Sequence, residues 1–265
     1  MNILVCVKQV TDLAKTSIKA GDSSQIEEDL PAVINIFDSY ALELALRIKD
    51  KLDVKVVILS LGSFRAMTML RECLSAGADK AYLASDEAFS GGDTLATSYT
   101  LHKAITAIEK EEGLFDLVFC GKQAVDTETA HTGPQLAERL QYPQITSIVD
   151  IEMVEGGVRA ERETETGKEI WESSMPVVLT VTKTAYELRY PTIKSKIAAM
   201  RTEIPVLTAS DIQADIEKCG LKGSAITVQT TCVPYHKRSC FMVDEDTVQA
   251  SACKLVALLG ASSLV

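Results

Sequence analysis

The chain has 265 residues, 46% of them hydrophobic, and a mean hydropathy of +0.10, which predicts one large or two modest globular domains. A formal net charge of −10 at pH 7 argues against a nucleic-acid-binding or anionic-membrane surface. The chain has seven cysteines and no C-x-x-C pair, which predicts reduced thiols and no metal site. No apolar run approaches the ~20 residues that span a bilayer, so we expect a cytoplasmic protein.

Strand-like and helix-like patterns alternate through the first 140 residues. Short apolar runs predict four buried strands, at residues 3–7, 54–61, 80–84 and 116–120. A segment with helical periodicity follows each strand. The predicted N-cap of the first helix is Asp38 and that of the third is Asp93 or Thr94, while the second helix begins at residue 64 and the fourth after Gly121. The alternation predicts an open, mainly parallel α/β sheet with helices on both faces.

Residues 116–140 combine a buried strand, a polar turn and an amphipathic helix. Asp126, Thr127 and Thr129 are candidate N-cap residues, and Pro134 suits a first helical turn. Ligands in open α/β sheets lie beyond the carboxyl ends of strands, where helix N-termini attract phosphate. The stretch therefore predicts a nucleotide site, although the same pattern alone is also an ordinary element of such folds.

A second candidate contact lies at Ser90-Gly-Gly-Asp-Thr94. It superficially resembles the SGGxDS loop of ATP-pyrophosphatases, but it follows the third strand and lacks one residue. A Gly-Gly turn before a helix start suits either a phosphate or ribityl contact or simple capping. The chain has no G-x-G-x-x-G after the first strand and no G-x-S-x-G, which disfavours an ordinary Rossmann dehydrogenase and a serine hydrolase. We expect no catalytic side chain.

The pattern changes after Pro143. Strand-like runs at 145–154, 158–164 and 168–173 are separated by glycine-containing turns and predict a β-hairpin excursion. A buried strand at 175–182 is expected to rejoin the sheet, and 185–201 is interpreted as an irregular, protruding loop. Beyond it we expect elements with too little core to fold alone: a short helix at 210–218, a strand at 225–233 and a helix at 244–259. The chain is thus predicted to divide into a domain at 1–203 and a partner-packing extension at 204–265.

Several stretches resemble the β subunit of electron transfer flavoproteins. They are LVCVKQV at 4–10, NIFD at 35–38 with ALE at 41–43, LSAGAD at 74–79, GKQAVD at 121–126 with Thr132-Gly133, and Arg189-Tyr190. The likeness covers nearly the whole chain. It implies an adenine-nucleotide alpha-hydrolase-like fold and a heterodimer with an α subunit that carries FAD.

The resemblance also implies a nucleotide site in this chain. The positions it assigns to nucleotide contact are Cys6, Asn35, Asp38, Leu61, Gly121, Lys122, Gln123, Ala124, Val125, Asp126, Thr127, Thr129, His131 and Thr132. Where FAD replaces AMP, Asp93, Thr94 and Thr97 are expected in addition. Thr127 stands in place of a usual glycine and His131 in place of a usual glutamine, so contacts in this turn could differ.

Two patterns are similar to the flavin-bifurcating group, GGDTLATS at 91–98 and Gly133-Pro134-Gln135. That likeness implies a second FAD that takes hydride from NADH and serves ferredoxin and, through the α-subunit FAD, an acyl-CoA or hydroxyacid dehydrogenase. Arg189, Tyr190 and Ile193 fall where the family contacts the dehydrogenase. One alternative is a simple carrier subunit that holds structural AMP. Another is a stand-alone ATP-binding α/β protein, against which the unsupported tail argues.

Overall fold

The computed structural model describes residues 1–12, 31–230 and 240–262, which fall into two compact units, one of residues 1–12 and 31–229 and a second of the later residues. The first unit contains strands β1 (Asn2–Val7), β2 (Gln9–Thr11), β3 (Ala32–Ile34), β4 (Lys55–Leu61), β5 (Lys80–Ala84), β6 (Leu117–Gly121), β7 (Gln144–Val154), β8 (Gly157–Thr164), β9 (Gly167–Ser174), β10 (Val177–Val181) and β11 (Val206–Leu207). Its helices are α1 (Ile36–Lys49), α2 (Ala66–Ala76), α3 (Thr94–Glu112), α4 (Thr132–Leu140), α5 (Ile193–Arg201) and α6 (Gly220–Gly223). Helix α7 (Val248–Ala261) belongs to the second unit.

Nine strands form one sheet in the order β11-β5-β4-β1-β6-β10-β7-β8-β9. Every pairing from β11 to β7 is parallel, whereas β7, β8 and β9 pair antiparallel. The predicted parallel sheet and hairpin excursion are therefore confirmed. Strand β10 rejoins the sheet, as predicted, between β6 and β7.

Helices cover both faces of the sheet, as predicted. Successive side chains of a strand point to opposite faces, and on β1 the buried Ile3 and Val5 pack in one cluster while Leu4 packs in another. The first cluster includes the apolar sides of α1 and α2, and the second those of α3 and α4. Strands β2 and β3 form a separate two-stranded ribbon beside the end of β1.

The start of α1 differs from the prediction. Its N-cap residue is Asn35, which makes no side-chain cap bond, and Asp38 lies inside the first turn. Asp38 cannot act as the cap because its buried carboxylate is turned to the strand ends, where it accepts bonds from other backbone N–H groups. Asp93, in contrast, caps α3 as predicted, accepting from the N–H of Ala96 at 3.0 Å.

The segment at 185–201 is only partly irregular. Residues 193–201 form α5, which is capped by the Thr192 hydroxyl through a 3.0 Å bond from the Ser195 N–H. Arg71 of α2 donates to the carbonyls of Ala199 at 2.7 Å and Met200 at 3.1 Å, at the other end of α5. The predicted loop is therefore wrong for its second half, which is a helix capped at both ends.

The first unit continues to residue 229, past the predicted domain boundary at 203, which stays a prediction. Strand β11 pairs with β5, and Ile204, Ile212 and Cys219 are buried, so this segment completes the core. Of the predicted helix at 210–218, only a 3-10 turn (Ile216–Lys218) forms, and α6 follows it. Residues 225–230 of the predicted strand form no strand. Residues 231–233 lie outside the described residues.

In the second unit, α7 agrees with the predicted last helix. The packing of this C-terminal part on a partner subunit stays a prediction. None of the helices in the described ranges combines the length and the apolar character needed to cross a bilayer.

Candidate nucleotide site

A cavity of about 1250 Å³ opens beyond the carboxyl ends of β1, β4 and β6. From β1 the chain passes to α1 on one face of the sheet, whereas from β6 it passes to α4 on the other face. The loops that follow β1 and β6 therefore diverge and leave a crevice, which is the usual ligand position in open α/β sheets.

All predicted contact residues except Val125 and Asp126 line this cavity. They are Cys6, Asn35, Asp38, Leu61, Asp93, Thr94, Thr97, Gly121, Lys122, Gln123, Ala124, Thr127, Thr129, His131 and Thr132. The structure thus brings together residues that are up to 126 positions apart in the sequence. Nucleotide contact by each of them stays a prediction.

Asp38 joins the ends of β1 and β6 at the base of the cavity. One carboxylate oxygen accepts from the Lys8 N–H at 2.7 Å and the other from the Gly121 N–H at 3.0 Å. Burial raises the pKa of Asp38 to about 7, and the two N–H donors oppose that rise. Residue 121 must be glycine here, because a Cβ would lie 2.2 Å from the Asp38 Oδ1.

The turn after β6 is tethered at several points. Asn35 donates to the Gln123 carbonyl at 2.8 Å and accepts from the Val125 N–H at 3.2 Å. Lys8 and Asp126 form an ion pair with an N–O distance of 2.7 Å. Val125 and Asp126 therefore shape the turn without lining the cavity, and their contact with a nucleotide stays a prediction.

The same turn contains residues in the left-handed backbone region. Glu128 has φ of 50° and Ala130 of 57°, values uncommon for residues with a side chain. Such a conformation is kept only where surrounding bonds impose it, as the tethers of this turn do. Thr127 has no positive φ, so its replacement of a usual glycine costs no backbone strain.

Helix α4 begins only after this turn. Its N-cap is His131, without a side-chain cap bond, so the predicted N-cap roles of Asp126, Thr127 and Thr129 are wrong. Pro134 does lie in the first helical turn, as predicted. The first N–H groups of a helix have no acceptor within it, so Thr132 and Gly133 offer donors where α4 begins at the cavity.

At the start of α3, the Asp93 carboxylate accepts hydrogen bonds from backbone groups of the chain itself. Its Oδ2 accepts from the N–H groups of Ala225 at 2.8 Å and Ile226 at 3.2 Å, in addition to the cap bond from Ala96. Burial opposes ionisation of this carboxyl, but the backbone N–H donors around it outweigh burial and lower the pKa of Asp93. Capping is therefore confirmed for Asp93, whose carboxylate is engaged, while Thr94 and Thr97 stand beside it on the cavity wall.

Charges of both signs lie around the cavity, at different places on its wall. The N–H groups of Ala88 and Ala209 lower the pKa of Asp86, so its carboxylate stays ionised in the loop before α3. Lys122, in contrast, forms no ion pair with any residue in the described ranges. An ammonium in this position and helix-terminal N–H groups form charge-assisted bonds with phosphate oxygens. The cavity can therefore hold the phosphates of a nucleotide.

Sequence reasoning missed part of the lining. The main additions are Lys8, Phe64, Phe89, Ile226 and Val228. Ile226 and Val228 belong to a segment interpreted as an isolated strand, and no local signal placed it at the cavity, because its position depends on a contact with Asp93 more than 130 residues earlier.

The predicted partner residues divide into two groups. Tyr190 and Ile193 are largely exposed. Arg189 is instead engaged within the chain: its guanidinium bonds the carboxylates of Glu43 at 2.9 Å and Asp50 at 2.8 Å. Arg189 therefore holds the start of the segment against α1, and its direct contact with a partner stays a prediction.

Comparison with known proteins gave consistent matches. A family model described as "Electron transfer flavoprotein domain" matches residues 24–212. The chain is 41% identical over 270 aligned residues to the "Electron transfer flavoprotein subunit beta" of Megasphaera elsdenii, with 100% of both chains covered. It is 38% identical to the "Caffeyl-CoA reductase-Etf complex subunit CarD" of Acetobacterium woodii, with 98% of both covered. It is 39% identical to "Protein FixA" of Azotobacter vinelandii, over 88% of this chain and 84% of that protein.

Proposed function

Because the chain belongs to the electron transfer flavoprotein family as a β subunit, we propose that its cavity binds FAD and that the subunit takes part in electron bifurcation. When bound, FAD would accept hydride from NADH and release single electrons, one to ferredoxin and one through the α-subunit FAD to an acyl-CoA or hydroxyacid dehydrogenase. The chain's own residues bind and orient the flavin.

The size of the cavity is the observation that carries the proposal. Its volume of about 1250 Å³ exceeds the ~300–1,000 Å³ of ordinary small-ligand pockets. It extends from the turn at 121–132 to the start of α3, where Thr94 and Thr97 lie. A mononucleotide bound at the turn would leave the α3 side unfilled, whereas a dinucleotide could occupy both.

Each part of the site has a separate task. Lys122 and the N–H groups at the start of α4 would bind the diphosphate, each charge-assisted bond contributing ~1.5–3 kcal/mol. Cys6 and Leu61, at the ends of β1 and β4, would lie against the adenine, and the Thr94 and Thr97 hydroxyls would bind the ribityl part. No side chain is required as a general acid or base.

The dehydrogenase partner is proposed from the exposed surface at Tyr190 and Ile193. Large apolar side chains that are exposed together and next to a basic helix are typical anchors of a protein interface. The Acetobacterium woodii relative is named as part of a caffeyl-CoA reductase complex. That name supports a partner acting on an acyl-CoA for this chain too.

The second candidate function is a simple electron carrier whose β site holds AMP without redox chemistry. The turn at 121–132 supports this function equally well, because the turn alone would bind an adenine mononucleotide. The two candidates differ at the α3 side of the cavity, which only FAD would need.

Cofactor counting on the purified αβ heterodimer tests the proposal. Two FAD per heterodimer are expected, and one FAD with one AMP would contradict bifurcation. Replacing Thr94 and Thr97 by Val should lower the amount of FAD bound at the β site per heterodimer and leave AMP binding unchanged. Thr106→Val is the matched control, because Thr106 lies on the same helix, is exposed and does not line the cavity. Anaerobic NADH titration, followed by flavin absorbance, then tests hydride acceptance.

A further inference from the structure

The wall of the cavity next to α3 is formed by residues 219–228, which we call the strap. The first residues of the strap lie beside the loop at 85–92, where the Leu221 N–H donates to the Ser90 carbonyl at 3.1 Å. Farther along, Ile226 and Val228 line the cavity. We propose that these two side chains contact a planar heteroaromatic ring of the bound nucleotide, and that Asp93 is the positioning residue that holds them there. The inference deepens the proposed function and rests on it.

Glycines allow the strap to lie directly on the loop before α3. A Cβ at residue 92 would lie 3.3 Å from the Gly220 Cα. A Cβ on Gly91, whose φ is +71°, would lie 2.7 Å from the Leu221 Cγ, and one on Gly220, whose φ is +51°, would lie 2.4 Å from the Ala88 carbonyl oxygen. The Gly-Gly pair at 91–92 therefore serves backbone-to-backbone packing of the strap.

Asp93 fixes the strap beyond that contact. Its N–H donates to the Ser224 hydroxyl at 2.8 Å, and that hydroxyl donates to the Gly220 carbonyl at 2.8 Å. Its Oδ2 accepts from the Ala225 and Ile226 N–H groups. Because its Oδ1 caps α3, one carboxylate ties the helix start to the strap immediately before the two lining residues.

The chemistry of the wall points to a ring. Ile226 is 65% and Val228 75% exposed, although both side chains are apolar and line a cavity. The phosphate-binding groups are supplied elsewhere, by Lys122 and the start of α4. Apolar side chains at a nucleotide site gain by covering the flat face of a base or of a flavin ring, since that contact removes both surfaces from water.

The test compares three variants in the αβ heterodimer with its α-subunit FAD in place. They are the double variant Ile226→Ala/Val228→Ala, the single variant Asp93→Ser and the control Ile216→Ala. Ile216 lies in the 3-10 turn just before the strap, is 50% exposed and does not line the cavity. Serine at 93 keeps an oxygen to cap α3 but cannot also accept from the strap. Equilibrium dialysis with FAD and, separately, with AMP gives the dissociation constants.

We expect the double variant to weaken binding by about tenfold, from the apolar area it removes, and the control to leave binding unchanged. Asp93→Ser should weaken binding similarly without loss of helical circular dichroism. Combining it with the double variant should add little, because Asp93 acts through the wall. A loss for FAD alone identifies the flavin ring, and a loss for both ligands identifies adenine.

Two results would overturn the inference. Wild-type affinity of the double variant for both ligands would exclude ring contact, and additive losses with Asp93→Ser would exclude the positioning role. Failure of the proposed function is seen separately, in the cofactor count of the wild-type heterodimer. A wild-type heterodimer with one FAD and one AMP would refute bifurcation, while a loss of AMP affinity in the double variant would still support contact between the strap and the ring.

Discussion

The ion pair between Arg189 and Glu43 makes a quantitative prediction for Arg189→Ala. Arg189 Nε and Nη2 bond the two Glu43 oxygens at 3.0 and 2.9 Å, and its backbone N–H bonds the same carboxylate at 3.1 Å. The Glu43 side chain is 6% exposed, whereas that of Arg189 is 31% exposed. Removing the guanidinium would leave an almost fully buried carboxylate without its partner cation.

The expected loss follows from that asymmetry. Breaking a fully buried pair costs about 3–5 kcal/mol, and the partial exposure of Arg189 reduces the figure to about 2–3 kcal/mol. For a chain of this size such a loss lowers the melting temperature by roughly 5–10 °C. Differential scanning calorimetry of the heterodimer measures it directly.

Asp50→Ala is the matched control. Asp50 bonds the same guanidinium, but its side chain is 57% exposed, so its removal should cost about 1 kcal/mol or less. Equal losses for Arg189→Ala and Asp50→Ala would show that burial of Glu43 does not decide the energetics. A melting temperature unchanged by Arg189→Ala would refute the reasoning outright.

Three further changes test other parts of the molecule. Ile193→Ala should weaken electron delivery to the dehydrogenase about tenfold in KM, while NADH-dependent flavin reduction stays intact; unchanged delivery would argue against the anchor. Gly121→Ala should abolish nucleotide retention and lower the free energy of unfolding by about 1–3 kcal/mol, because the new Cβ would meet the Asp38 carboxylate. Gly62→Ala is the control: a Cβ there would have no atom within 4 Å, so stability should be unchanged. Between about pH 4 and pH 7, the raised pKa keeps Asp38 protonated in the folded chain, whereas Asp38 of the unfolded chain is ionised. The contribution of Asp38 to the free energy of unfolding is therefore complete below about pH 4 and is lost as pH rises through about 7. Urea unfolding should therefore show the stability of the wild type relative to Asp38→Asn falling by up to about 1.4 kcal/mol per pH unit in that window, and a constant difference would contradict the raised pKa.

Features set by short-range pattern were predictable from sequence. The four apolar runs and the helices between them follow from periodicity, and the Asp93 cap follows from residue type and position. The position of the cavity then follows from topology, because parallel strands end at one edge of the sheet. Most predicted contact residues accordingly line it.

Features set by distant contacts were not predictable. Residue 38 looked like a cap, but its carboxylate is held by the ends of β1 and β6. Helix α5 was hidden because its apolar residues Ile193 and Met200 face outward, so the usual buried stripe is missing. The strap depends on Asp93, and nothing in residues 219–228 alone indicates that contact.

The position of β10 in the sheet has a consequence for synthesis of the chain. Strand β10 is bonded to β6 on one side and β7 on the other, yet it is made after the whole β7–β9 hairpin. Until residue 181 leaves the ribosome, β6 remains an open edge, the kind of strand that recruits other chains. The Lys122 N–H, at the start of the turn, likewise finds its acceptor, the Val181 carbonyl, only then. Nascent chains shorter than this should therefore aggregate. Release of β10 from the ribosome pairs the open edge of β6 and completes the turn at 121–132 in the same step.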